Sequence, residues 1–529
     1  MNTLHNPPPL NLAKNLPNEI LSDIFWQLTE MPPYTAERSL SSVLLVCRRW
    51  NVVAISTPDL WTTLTITSGS VTRVETVLSR SKGVTVNVII GEILDWDEGT
   101  AMIVELIHAH LHRIRNLSLF KTPSHLVSQI LARLCIPAPR LELFAIVNPD
   151  FLSNYERLLL PSSFLSEGAP QLKHLLLDHS SIPWSSPLYH NLSTLLITLE
   201  HIQAAPSSDL FLSVLESCPQ LEQLQLIAAG PILYQDAVLR RSNRRARLPA
   251  LRYLTLSFTT ISQTTYALSH ILSPSIYSLR ITTTAPDGWD LVDDIMPFLA
   301  ETCEASGASA SDIDCISFAP TTHEEEQMSF VLFLPSGGHL ILDVDNISPR
   351  NIFTSFTSVL GAGWPLPKQL IVMLPRNETL AVSDWKIALR GWTGLERLTL
   401  IRGDEHLVSA LGSGEDTSSS EPEGENNSFI CPSLTNLTCE APINSPTGLS
   451  EELSSNLVRC LKHRQARGLR LSTLSLRGFI VAEADQKLLE GLVDTLLVLP
   501  PRDPAAVNPS RLTAYPPVLR NALRAIDCV

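Results

Sequence analysis

The feature that most constrains the fold is a short phrase repeated along the chain: APRLELFAI, APQLKHLLL, CPQLEQLQL, LPALRYLTL, SPSIYSLRI and CPSLTNLTC. Each has a proline, one free residue, then an apolar residue recurring three and five places on, from Leu141, Leu172, Leu221, Leu251, Ile276 and Leu434. RIRNLSLF, NLSTLLIT, GLERLTLI and RLSTLSLR keep the L-x-x-L-x-L core without the proline, from Ile114, Leu192, Leu395 and Leu471. Alternating apolar residues predict a short strand with one buried face, and the first apolar residue packs below it. The proline ends any preceding helix and feeds an extended start. Between the phrases lie helical stretches such as SDLFLSVLESC, with Leu210, Phe211, Val214 and Leu215 on one side.

From Ile114 to Ile276 the phrases start 20 to 31 residues apart. One strand and one return segment at that period is the signature of a leucine-rich-repeat solenoid, with parallel strands on a concave face and helices and loops on a convex one. The expected class is therefore α/β. The array reads as irregular, because Ser180, Ala229, Thr259 and Gly403 stand where the usual motif has a laddering Asn or Cys. Between Ile276 and Leu395 only IDCISF (Ile313, Ile316, Phe318) fits, and FVLFLPSGGHLILDV reads as two strands about a Ser-Gly-Gly turn. Residues 412–428 carry five acidic groups and no aliphatic residue, which predicts a disordered insert.

Hydrophobic residues make up 44% of the 529 and charged residues 17%, a folded composition. The net charge of −14 argues against a surface built for nucleic acid. No secretory leader and no membrane-length apolar run is read, and nine scattered cysteines read as reduced thiols. A cytoplasmic or nuclear location is expected.

Ahead of the repeats, LPNEILSDIF places Ile20, Leu21, Ile24, Phe25 and Leu28 on an amphipathic helix, with Pro17 suited to its first turn. After a polar connection, TEMPPYTAERS, the segment SLSSVLLVCRRWNVVAIS puts Leu40, Val43, Leu44, Cys47, Trp50 and Ala54 on one helical face. STPDLW then breaks the helix at Pro58 and presents Leu60 and Trp61. A unit this small buries a modest fraction of its surface alone and gains by docking on something else.

These residues resemble the F-box, whose motif runs Leu-Pro-x-Glu, an Ile/Leu-rich helix, Val-Cys-Arg-x-Trp, then Pro-x-Leu-Trp. The matches are Leu16, Pro17, Glu19, Ile20, Leu21, Ile24, Phe25, Leu44, Val46, Cys47, Arg48, Trp50, Pro58, Leu60 and Trp61. With the repeats behind it, the chain looks like fungal F-box/leucine-rich-repeat-like proteins; the long connection between the helices is a departure. The resemblance implies a non-catalytic substrate-recognition subunit of an SCF-type cullin–RING ubiquitin ligase, its F-box bound to a Skp-family adaptor. It implies adaptor contacts from Leu16, Pro17, Ile20, Leu21, Ile24, Phe25, Leu44, Val46, Trp50, Pro58, Leu60 and Trp61. The other class open to such a chain is a repeat scaffold that works without ubiquitin.

Strand alternation nominates the substrate face: Phe120, His174, Asp178, Gln223, Gln225, Tyr253, Arg397 and Arg477. With Asn116, Ser118, Thr194, Thr255, Thr399, Thr473 and Ser475 between them, the face is mostly neutral and hydroxylic with aromatic and basic punctuation. It suits a protein or peptide ligand better than DNA, and neither a nucleic-acid nor a membrane partner is expected. His108 and His112 stand four apart, but no further ligand completes a metal site, and a polar helix face is the reading taken. Arg240, Arg241, Arg244, Arg245 and Arg247 read as a solvated loop, an import signal or an acceptor for acidic substrate. No phosphate loop or nucleophile elbow appears, so neither cofactor nor catalysis is expected. The domain reading is a disordered leader 1–15, an F-box 16–61, a solenoid 62–500 holding the acidic insert, and a tail 501–529.

Overall fold

A computed structural model describes residues 16–29, 33–67, 70–91, 93, 95–147, 157–165, 168–233, 244–258, 260–273, 276–284, 315–320, 327–333, 339–345, 367–374, 379–402, 404–412, 430–441 and 447–501. The leader 1–15, Arg240, Arg241, Thr259, Ile313, Gly403, the acidic insert from residue 413 and the tail from residue 502 lie outside the described residues. The chain forms two compact units, one within residues 1–206 and one within 207–511.

The first unit opens with helices α1 (Asn18–Thr29), α2 (Pro33–Val46) and α3 (Arg48–Ser56), closed by a tight turn at Pro58–Trp61. Pro33 starts α2, where its missing N–H costs nothing, so the expected polar connection is largely helix. The single helical face expected across Cys47 is also corrected. Cys47 is extended (φ −163°, ψ 167°) and exposed, and it divides α2 from α3. The strands that follow are β1 (Thr63–Ile66), β2 (Val86–Gly91), β3 (Ile114–Phe120), β4 (Leu143–Val147), β5 (His174–Asp178) and β6 (Thr194–Thr198). Each pairs in parallel with the next. Helices α4 (Val71–Arg80), α5 (Glu98–His110) and α6 (Ser124–Arg133) make the returns between β1 and β4.

The second unit holds β7 (Gln223–Ile227), β8 (Tyr253–Ser257), β9 (Ser278–Thr284), β10 (Cys315–Pro320), β11 (Gln327–Phe333), β12 (His339–Asp345), β13 (Gln369–Met373), β14 (Arg397–Ile401), β15 (Asn436–Glu440), β16 (Thr473–Arg477) and β17 (Thr495–Leu499). Parallel pairing runs β7–β8–β9 and then to β12, not β10. β11 is antiparallel to both β12 and β10, and β10 lies parallel to β13. The chain thus skips two strand positions after β9, folds back through β11 and β12, and resumes the parallel order at β13. The two strands expected around Ser-Gly-Gly are β11 and β12, with Phe333 facing His339. β13 to β17 then pair in sequence.

The repeated phrase has a common local structure. In APRL, APQL, CPQL, LPAL and CPSL the leucine N–H donates to the carbonyl three residues earlier, at 3.1, 3.0, 3.0, 3.2 and 3.2 Å. Proline therefore occupies the second position of a β-turn, where its fixed φ is already correct. The apolar residues at +3 and +5 form rows through the sheet. Leu224, Leu254, Leu279 and Leu340 are in register, as are Leu226, Leu256, Ile281 and Leu342. All eight are at most 3% exposed.

Strand exits repeat as well. Lys121, His179, Leu199, Ala228, Arg402 and Gly478, each directly after a strand, have φ between 46° and 74°. This left-handed corner turns the backbone N–H toward the neighbouring strand. Examples are Ala228 N–H to Ser257 O at 2.6 Å and Gly478 N–H to Leu499 O at 2.8 Å. Only one of the six is glycine, so five side chains sit in a conformation that costs L-residues about 1 kcal/mol each.

Candidate functional site

The three N-terminal helices hold together through a small core and several side-chain clasps. Leu21, Phe25, Leu40, Val43, Val53, Ala54, Leu60 and Trp61 are buried. Phe25 and Trp50 pack with ring centroids 5.1 Å apart at 58°. The Trp61 indole N–H donates to Ala54 O at 2.8 Å, fixing the closing turn on α3. Arg49 donates to Asn18 Oδ1 (3.0 and 3.1 Å) and to Leu16 O, so α3 clasps the start of α1. Asn51 Nδ2 donates to Leu44 O at 3.0 Å, bridging the break at Cys47.

Around this core the module leaves much apolar surface uncovered. Ile20 and Ile24 are each 44% exposed and Trp26 is 45% exposed on α1; Leu45 is 86% and Val46 58% exposed at the end of α2; Val52 is 64% and Ile55 37% exposed on α3. Seven of the seventeen exposed large apolar side chains among the described residues therefore fall between residues 20 and 55. A concentration of that kind marks an interaction site, whereas single exposed leucines do not.

The twelve residues expected to contact an adaptor divide accordingly. Ile20, Ile24, Val46 and Pro17 are exposed, and Leu16, Leu44, Trp50 and Pro58 are partly covered. Leu21, Phe25, Leu60 and Trp61 are 8% exposed or less and serve the module's own core. Trp26, Leu45, Val52, Ile55 and the clasp residue Arg49 were not picked out by the sequence reading. The signal was present in LLV at 44–46: three consecutive apolar residues cannot all face one side of a helix.

The residues nominated for the substrate face have different surroundings within each unit. Phe120 is fully buried, and a Cβ on Gly91 would lie 2.0 Å from its ring, so Phe120 fills the core; that assignment is corrected. Gln223 is 4% exposed and is likewise internal. His174 Nδ1 lies 3.1 Å from Thr194 Oγ1, and Asp178 lies 3.0 Å from His179. In the second unit, Tyr253 meets Tyr277 edge-on at 5.9 Å, Gln225 is half-buried, and Arg477 lies 3.6 Å from Glu440. Arg397 and Arg477 sit at opposite ends of their strands, since Arg397 pairs in register with Asn436 and Arg477 with Glu440. Leu176 and Leu196, also on this side, pack with Leu143 and Ala145 in a buried cluster.

Of the other candidates, His108 Nδ1 lies 2.6 Å from Arg133 O, and α5 ends at His110, so His108 and His112 do not share one helical face. Arg244 forks onto Glu216 at 2.5 and 2.9 Å and holds its carboxyl below the usual range. Burial pushes the thiols of Cys431 and Cys439 up to about 12 and that of Cys460 to about 11, which removes thiolate character near neutral pH. Among the described residues no helix is long and apolar enough to cross a membrane.

No curated protein matches the chain. Residues 13–67, which span α1, α2, α3, the closing turn and β1, match the family described as F-box-like, so the exposed apolar surface belongs to an F-box-like domain.

Proposed function

We propose that the chain is the substrate-recognition subunit of an SCF-type cullin–RING ubiquitin ligase. The F-box-like domain docks on a Skp-family adaptor through Ile20, Ile24, Trp26, Leu45, Val46 and Val52. The strands and helices behind it act as a leucine-rich-repeat solenoid that binds a protein substrate, with Tyr253, Tyr277, Arg397 and Arg477 among the contacts. The observation that carries this reading is the uncovered apolar surface on a module whose own core is already filled. The chain performs no bond chemistry. It holds a substrate at high effective concentration beside the ubiquitin-carrying enzyme.

Co-expression of the full chain with a Skp-family adaptor and a cullin tests the first half of the reading. A complex of all three that is lost with Leu45→Asp supports it. A folded chain that recruits neither subunit leaves the scaffold reading in its place.

A further inference from the structure

Where the helical module meets the first helix of the sheet, a cavity of about 220 Å3 opens between α2, the closing turn and α4. Its apolar walls are Leu40, Leu44, Leu60, Trp61 and Val77, the remainder being hydroxyl side chains and two arginines, Arg73 and Arg80. Among the described residues no Asp or Glu lines it, in a chain whose net charge is −14. The two arginines are used differently. Arg73 Nη2 donates to Thr65 O at 2.8 Å and so braces β1. Arg80 lies over the Trp61 ring, 4.4 Å from its centroid, and has no carboxylate partner among the described residues.

A guanidinium stacked on an aromatic face keeps its N–H donors in the plane, free to fork onto a carboxylate. Trp61 is itself pinned by Ala54 O, so the stacked cation is held in place. We propose that this cavity binds a small amphiphilic carboxylate, the carboxylate on Arg80 and the apolar body between Leu44, Leu60 and Val77. The volume lies below the roughly 300–1,000 Å3 of pockets for drug-sized ligands, so the fit is to a fragment-sized acyl or aryl acid. Such a ligand bridges α2 and α4, tying the docking module to the first helix after β1.

The test is calorimetric titration of the full chain, without adaptor, using octanoate, naphthoate and, as the charge control, octylamine. Because no adaptor is present, the outcome is separate from that of the ligase reading. At least one carboxylate is expected to bind saturably at a single site while octylamine does not. Arg80→Gln is expected to weaken binding by roughly tenfold or more, with Arg80→Lys retaining part of it. Far-UV circular dichroism confirms that each variant is folded, and the octanoate–octylamine contrast on the unaltered chain stands without any variant. Equal binding of octylamine, equal binding by Arg80→Gln, or no saturable binding of either carboxylate overturns the proposal.

Discussion

The N-terminal helices and the strand repeats draw on the same aliphatic residues and dispose of them in opposite ways. Leu256 in β8 is fully buried, whereas Leu45 at the end of α2 is 86% exposed. The difference follows from how many neighbours each element has. An inner strand of a parallel sheet has a strand on either side and helices over its face, so its apolar row closes internally. Three short helices cannot surround one another, and the residues on their outer faces remain open. Apolar content alone does not mark a binding surface; apolar content without a neighbour does.

The largest expected effect breaks this comparison at its buried end. Leu256→Ala should destabilise the fold by about 2–5 kcal/mol in urea unfolding, while Leu45→Ala should stay within about 0.5 kcal/mol. Trp61 belongs with the strands in this respect: it is 8% exposed, and Trp61→Ala should cost about 3–5 kcal/mol. If Leu45→Ala proves as costly as Leu256→Ala, the division into covered and open surface fails.

Next in size is a buried arginine of the second unit. Arg464, 0% exposed near the end of the helix Glu451–Ala466, donates to Ile430 O, Cys431 O and Leu434 O at 3.2, 3.0 and 3.3 Å. It satisfies the carbonyls of a proline turn from below. Arg464→Ala should destabilise by about 3 kcal/mol or more, read by the same unfolding assay.

Cysteine labelling sharpens the comparison without mutation. Cys47 and Cys135 are exposed, and Cys218, Cys431, Cys439 and Cys460 are buried. At neutral pH the first two should react with a thiol reagent in the native protein, and the other four only on unfolding. Burial raises the Cys431, Cys439 and Cys460 thiols above the ordinary thiol range. The stabilisation tied to these protonated thiols is complete below the ordinary thiol value and declines as pH rises toward the folded values of about 11 and 12. Stability should therefore fall from about pH 8.5 upward, and serine at all three positions should flatten that decline.

The smallest effect concerns the strand exits. Ala228 has φ 47°, and Ala228→Gly should stabilise the fold by about 0.5–1 kcal/mol by relieving the left-handed corner.

Strand positions were legible because proline, leucine and alternation act within nine residues, the same range as the turn and strand they specify. Three kinds of feature were not legible. The order β9–β12–β11–β10–β13 depends on which strands find each other across the sheet, which no local pattern encodes. The helix break at Cys47 has no proline or glycine to announce it, and a proline such as Pro33 fits a loop as well as the first turn of a helix. The exposed apolar surface was half legible. Periodicity groups Leu21 with Phe25 and Ile20 with Ile24, but it does not say which pair the module keeps for its own core. The same limit applied to Phe120 and Gln223, which alternation assigned to an open face and packing encloses. The cavity beside Trp61 brings together residues from 29 to 80 and had no sequence signature.

The central claim is that the uncovered helical surface is a docking site and not a flaw in packing. Its most direct test is the affinity of a Skp-family adaptor for the full chain by calorimetry, with Leu45→Asp and Val52→Asp measured beside it and the melting temperature of each recorded. The account predicts tight binding by the unaltered chain, a loss of roughly thirtyfold or more in each variant, and unchanged melting temperatures. Binding that survives both substitutions, or variants that lose adaptor and fold together, would contradict it.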